Sequence, residues 1–123
     1  MILALLAAAA FTCANPVAGD GDGLRCGSRK VRIAGIDAPE LHGCRGRPGR
    51  RCVAGDGQGA KRKMAALVAG QRLRCTPVSR SYDRVVAQCR LPDGRDLSCA
   101  AIGAGIARRW ASYDRSGRLR ACG

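Results

Sequence analysis

Residues 30–40 read KVRIAGIDAPE, and Glu40 is the only glutamate in a chain of 123 residues. The first seven, KVRIAGI (30–36), carry β-branched residues in alternation with basic ones and predict a strand. Asp37 ends that strand and Pro39, which lacks an N–H for a ladder, follows it. The chain has 22 Lys+Arg against 9 Asp+Glu, a formal net charge of +13. Four of the nine acids, Asp20, Asp22, Asp37 and Glu40, nevertheless fall within 21 residues. A solvated surface would scatter them. A site that holds a cation and handles a proton beside a polyanion would gather them.

Working outward, FTCANPVA (11–18) reads as a first strand and GDGDG (19–23) as a tight turn. LRC is a short second strand and GS a turn, so three strands in a meander are expected up to Ile36. Residues 41–57 form a long, basic, Gly-rich loop, and loops of that length are functional or mobile. In 58–69, Ala60, Met64, Leu67 and Val68 make one apolar helix face, with Gly70 in place to end it. QRLRCTPV and RVVAQCRL read as two strands around a turn at 79–83. PDG (92–94) is a further turn, and Ser98 is placed to cap a short helix across 99–104. IARRW is a last short strand or the start of a helix, with a tail from Ser112. The fold class is α+β, mainly β: a five-stranded barrel with two or three short helices, as in an OB-fold.

Length allows one small domain, taken as residues 11–123. Aromatics are only 3% of the chain, so packing rests on small aliphatics and needs covalent help. Eight cysteines are available, none in a CxxC, and His42 is the sole histidine, which argues against zinc. The even count reads as up to four disulfides formed in an oxidising compartment, the other reading being free buried thiols. Cys75–Cys89 and Cys13–Cys26 each lie symmetrically about an expected hairpin turn. Cys44–Cys52 would staple the basic loop, leaving Cys99–Cys122 to tie down the tail.

Residues 1–10, with the run ILALLAAAA, fit the apolar core of a signal peptide and are too short to span a bilayer. The other reading is a buried first strand. Export makes the protein secreted or periplasmic. Its charge points to a polyanion, nucleic acid first and anionic membrane second.

DGDG alone is an ordinary turn, and GIDAPE alone is a plausible strand end. Together they set carboxylates at the ends of neighbouring strands, as a site for Ca²⁺ or Mg²⁺ requires. Arg32 lies five residues before Asp37, so a regular strand would point them to opposite sides. For both to serve one pocket the strand must bulge or end between them, and Gly35 is the place.

The run DGDG-L…VRIAGIDAPEL, a helix ending in Gly, and then YDRVVA resembles the staphylococcal nuclease (thermonuclease-like) family. The cysteine-rich framework is similar to its secreted bacterial members. The resemblance implies a monomeric, Ca²⁺-dependent endonuclease acting on DNA and RNA on an OB-fold, without stable membrane association. It implies Asp22, Asp37 and the Ala38 carbonyl as metal ligands, with Asp20 supporting them. It implies Arg32 and Arg84 on the scissile phosphate, Glu40 as general base and Tyr82 against the substrate. The chemistry wants these residue types independently of any family. A guanidinium fork meets two phosphate oxygens at once, and a carboxylate beside a water takes its proton.

Two other functions fit the composition. A catalytically inactive OB-type module would bind nucleic acid in a salt-sensitive manner without cutting, though the aromatic stacking platform of single-strand binders is nearly absent. A cationic membrane-active defence protein would need a basic amphipathic helix, and 58–69 offers only Lys61, Arg62 and Lys63.

Overall fold

Asn15 takes a left-handed backbone (φ 50°) just before Pro16, and the segment expected as one strand breaks there into two. The computed structural model describes residues 9–42 and 52–122. Strand β1 is Phe11–Ala14, β2 Val17–Ala18, β3 Gly23–Cys26, β4 Arg29–Ile33 and β5 Ile36–Asp37. Helix α1 is Gly57–Val68, followed by β6 Arg72–Ser81, β7 Arg84–Arg90, helix α2 Leu97–Gly103 and β8 Arg108–Arg109. A 3-10 turn at Ala111–Tyr113 comes last. Residues 1–8 of the segment expected as a signal peptide (1–10), and the expected Cys44–Cys52 pairing, lie outside the described residues.

Six strands form one sheet in the order β1-β6-β7-β4-β3-β2, and β5 pairs with β8 in a separate ribbon. The first and last members of that sheet are consecutive in sequence. Three residues reach at most about 10 Å, so the sheet must curl until its two edges approach. The result is mainly β and consistent with an OB-like fold, but the expected five strands are corrected to six plus a ribbon. The break at Asn15–Pro16 accounts for the extra strand. The expected meander holds only for β2-β3-β4, because β1 pairs with β6 instead.

Alternation sets which side chains face the core. On β4 and β7, Val31, Ile33, Ala87 and Cys89 are fully buried, while Lys30, Arg32, Arg84, Val86, Gln88 and Arg90 have the opposite parity. The parallel register Arg32↔Val86 keeps those outward rows together. On β6, Leu73 and Cys75 face in, and Arg72, Arg74 and Thr76 face out.

Helix α1 buries Gly57, Ala60, Met64 and Val68, close to the expected face, and Gly70 (φ 67°) follows its end. The cap of α2 is a correction. Asp96, not Ser98, accepts the Cys99 N–H at 3.0 Å. Buried Ser98 donates to the Ala34 carbonyl at 2.6 Å, tying α2 to the turn after β4.

Between described residues three disulfides are formed: Cys13–Cys26, Cys75–Cys89 and Cys99–Cys122. Cys75 and Cys89 face each other across β6 and β7, as the hairpin argument requires. Cys13–Cys26 arises differently. Cys13 is on β1 and Cys26 on β3, strands that share no ladder, so this bridge crosses the line where the curled sheet returns to itself. At the other end of the chain Asp114 is a buried hub. It accepts from Arg109 Nε at 2.7 Å and from the Leu119 N–H at 3.1 Å. Burial by itself would raise its pKa, but those hydrogen bonds and the Arg109 and Arg118 charges hold it below the usual value.

The two sheet disulfides enclose nearly equal loops, with separations of 13 and 14 residues. Chain entropy therefore assigns each about 3 kcal/mol. Paired Cys→Ser variants should lose about that much each in denaturant melts. Only the Cys13/Cys26 pair should also speed amide exchange along β1, because no ladder replaces that bond. Equal exchange in the two variants would refute the role given to the Cys13–Cys26 crossing.

Candidate active site

Gly35 has φ 78°, which a side chain rarely adopts, and there the chain leaves β4 and turns into β5. The strand thus ends between Arg32 and Asp37, and both come to the same cleft. A Cβ at Gly35 would also sit 2.7 Å from Leu119 Cδ1, so the tail packs directly on this turn. Trp110 donates its backbone N–H to the Gly35 carbonyl at 2.8 Å.

The 19–23 turn delivers the other carboxylates. Asp22 gives its carbonyl to the Ile33 N–H at 2.9 Å, which continues the β3–β4 pairing. Its own N–H reaches Asp20 Oδ1 at 3.1 Å. A Cβ on Gly23 would lie 2.8 Å from that same Oδ1, so glycine leaves room for the Asp20 carboxylate. Gly21 lets the turn settle on the methyls of Ala38 and Ala60, where a Cβ would come within 2.6 and 2.9 Å.

Asp22 and Asp37 are both buried, at 8% and 5% exposure. Between them lies the Arg32 guanidinium, Nη1 at 3.2 Å from Asp22 Oδ2 and Nη2 at 3.5 Å from Asp37 Oδ1. Asp22 Oδ2 also accepts the Ala38 N–H at 2.9 Å. The Arg32–Asp22 approach is close in distance but off-axis, and buried Nη1 is left without an aligned acceptor. Burial pushes the Asp22 carboxyl up from 3.8 to about 7. The Arg32 charge pulls it down, the Asp20 carboxylate pushes it up and the Ala38 N–H pulls it down.

These groups line a cleft of about 430 Å³ that also takes in Glu40 and Arg84. Exposed Glu40 precedes the loop, and its backbone passes so close over the start of α1 that only glycine fits at 57. Arg84 opens β7, directly after the tight turn Tyr82–Asp83. Asp83 is held by Lys30 Nζ at 2.9 Å, and Tyr82 is 87% exposed with φ 58°. Every side chain named from the sequence as a candidate therefore borders one cleft, while Ala38, which does not line it, donates its N–H to Asp22. His42 is not among the lining residues.

Residues 30–121 match the family model described as staphylococcal nuclease homologue, more than half of the chain. The chain belongs to the staphylococcal nuclease family. No curated protein matches it. The family match begins at Lys30, so it takes in Arg32, Asp37, Ala38, Glu40 and Arg84, while Asp20 and Asp22 precede it. In this nuclease-family chain the cleft wall also holds Trp110 and Tyr113, which the sequence reading missed. Their rings lie 4.4 Å apart, and the Arg32 guanidinium sits 5.5 Å from the Trp110 ring centre. With Tyr82, three of the four aromatic residues border this one cleft. The expectation that an aromatic platform is nearly absent is corrected: aromatics are few, but they are collected here. The available signal was that Trp110, which ends IARRW, and Tyr113 fall within four residues of each other.

The Asp22 shift has a definite sign. A carboxyl whose pKa rises on folding binds its proton more tightly in the folded state, so stability falls as pH climbs from the unfolded value towards the folded one. With chelator present, wild type should lose stability relative to Asp22→Asn between about pH 4 and about 7 and then level off. Denaturant melts at several pH values measure this difference. Parallel curves would show that Asp22 is not perturbed.

Proposed function

We propose that the chain is an exported, metal-dependent endonuclease that hydrolyses phosphodiester bonds in DNA and RNA. The observation that carries this reading is the Arg32 guanidinium held between buried Asp22 and Asp37, in a cleft shared with Glu40 and Arg84. Membership of a nuclease-type family supports it. The three described disulfides fit an oxidising compartment. No helix among the described residues is long and apolar enough to cross a membrane. All the candidate groups come from one chain, so a monomer suffices.

The donor set suits a hard cation. Asp22 and Asp37 offer oxygens only, and the high pKa of Asp22 is the mark of a buried carboxylate short of positive charge. Among the described residues no group of three or more His, Cys, Asp or Glu is placed to hold a metal. The Ala38 carbonyl, waters and substrate oxygens would complete the shell, with Asp20 orienting the loop. Ca²⁺ tolerates such an irregular set, whereas Mg²⁺ demands near-ideal octahedral geometry. When bound, Ca²⁺ would supply positive charge against the phosphate oxygens and make a nearby water more acidic.

The chain's own residues do the rest. Arg32 neutralises two carboxylates that a cation would also neutralise, so the two compete, and relief of that duty frees the guanidinium for a phosphate. Its unmatched Nη1 is already a buried donor in need of an acceptor. Arg84 approaches from the β6–β7 turn, and two forks at one phosphate stabilise the charge that grows there as water attacks. Exposed Glu40 at the cleft edge is the group to take the proton from that water. Tyr82 lies against the substrate at the rim.

Plasmid and RNA should be cut with Ca²⁺ and left intact with excess chelator. Glu40→Gln should keep binding and lose about 10²–10⁴-fold in turnover. Arg84→Lys, which keeps charge but not the fork, should likewise lose turnover far more than binding. Wild-type cleavage by Glu40→Gln would remove Glu40 from the chemistry, and full activity in chelator would remove the metal.

A further inference from the structure

Arg84 and Val86 both line the cleft and both face outward on β7. The same face continues along the strand to Gln88 and Arg90. Next to it on β6, Thr76 stands opposite Gln88 and Arg74 stands opposite Arg90, with Arg72 one step further on that face. Arg72, Arg74, Thr76, Gln88 and Arg90 put no acid on this face; Asp96 pairs with Arg90 as an isolated bridge, but its carboxylate is taken up by Arg118 and the Cys99 N–H. Arg72, Arg74 and Arg90 are exposed and make no ion pair among the described residues, unlike Lys30, Arg32 or Arg109. Arg90 only donates to the Gly94 carbonyl at 3.0 Å. Like charges set directly opposite on paired strands destabilise a sheet. A small domain that keeps Arg74 against Arg90 needs another source of negative charge to quiet them.

We propose that Arg90, Arg74 and Arg72 form a basic track on the outer face of the β6–β7 hairpin that holds the phosphate backbone of a polynucleotide leading away from the cleft. The proposal rests on the nuclease reading for the cleft and adds a substrate class to it: extended strands rather than short ends. Six residues separate Arg84 from Arg90, a run of about 20 Å along a strand. That length holds about six nucleotides at the ~3.4 Å rise of a stacked strand. Arginine suits the task, since its fork meets phosphate oxygens in pairs. The contacts are to backbone only, so the track selects length and carries no base preference.

The test uses the full-length oxidised protein and labelled single strands of about 20 and about three nucleotides, with binding read by anisotropy in chelator across a salt series. Wild type should favour the long strand. Arg72→Gln with Arg74→Gln should weaken long-strand binding by roughly tenfold, flatten its log–log salt slope by about 1.4, and leave the short strand unaffected. Lysine at both positions should restore most of the affinity, because backbone contact needs charge. Melting curves and disulfide mapping confirm that the variants fold. Equal loss on long and short strands, or no loss on long ones, overturns the track. So does binding to anionic vesicles that matches the long strand and falls with the same variants, which would assign the surface to lipid. If nothing is cleaved yet long-strand binding still depends on Arg72 and Arg74, the nuclease reading fails and the track stands. If plasmid is cleaved and the variants keep the wild-type length preference, the reading stands and the track fails.

Discussion

A guanidinium lying between two buried carboxylates sets the terms for most of what surrounds it. Neither Asp22 nor Asp37 could be sunk in so small a domain without a positive partner, since an uncompensated buried charge costs more than the domain has to spare. Arg32 meets part of that need with one side chain shared between both, and the raised pKa of Asp22 marks what is left unmet. The neighbouring architecture follows from bringing three segments to one point. The Asp20–Asp22 turn is tied to the end of β4, the chain reverses at Gly35, and the β5–β8 ribbon holds Asp37 against the tail. Glycines sit where those segments touch, and at 21, 23, 35 and 57 a methyl group would meet a neighbouring group at closer than ordinary contact distance.

Much of this was legible in the sequence because it depends on local rules. Strand alternation around Val31 and Ile33, the apolar face of α1 and the glycine after it are all short-range patterns. The Gly35 turn was legible for a different reason: two residues five apart had to face one pocket, and only one residue between them could bend. The acidic cluster stood out against a basic background without any structure. What failed was long-range. The break at Asn15–Pro16 places β1 beside β6, some sixty residues away, and no local pattern states that. Ser98 looked like a cap because capping is judged from neighbours. Its real partner is the Ala34 carbonyl, brought close only by the packing of α2.

The disulfides divide along the same line. Cys75–Cys89 follows from hairpin symmetry, and the structure agrees for that very reason. Cys13–Cys26 was expected on the same argument and is present, but its cause is the curl of the sheet. The aromatics show the converse. A low overall count suggested that stacking was unimportant, yet composition carries no information about placement, and placement put three rings at one cleft.

The position of Trp110 has a practical meaning of its own. It is the only tryptophan in the chain, so the indole emission of the whole protein originates at the wall of this cleft. A nearby guanidinium, a tyrosine ring and a pair of carboxylates all act on that emission through distance and local field. Any rearrangement of Arg32 between its carboxylates and another anion therefore changes the optical signal of the native, unlabelled molecule. The chain carries an internal gauge of its own site, read with no dye and no substitution.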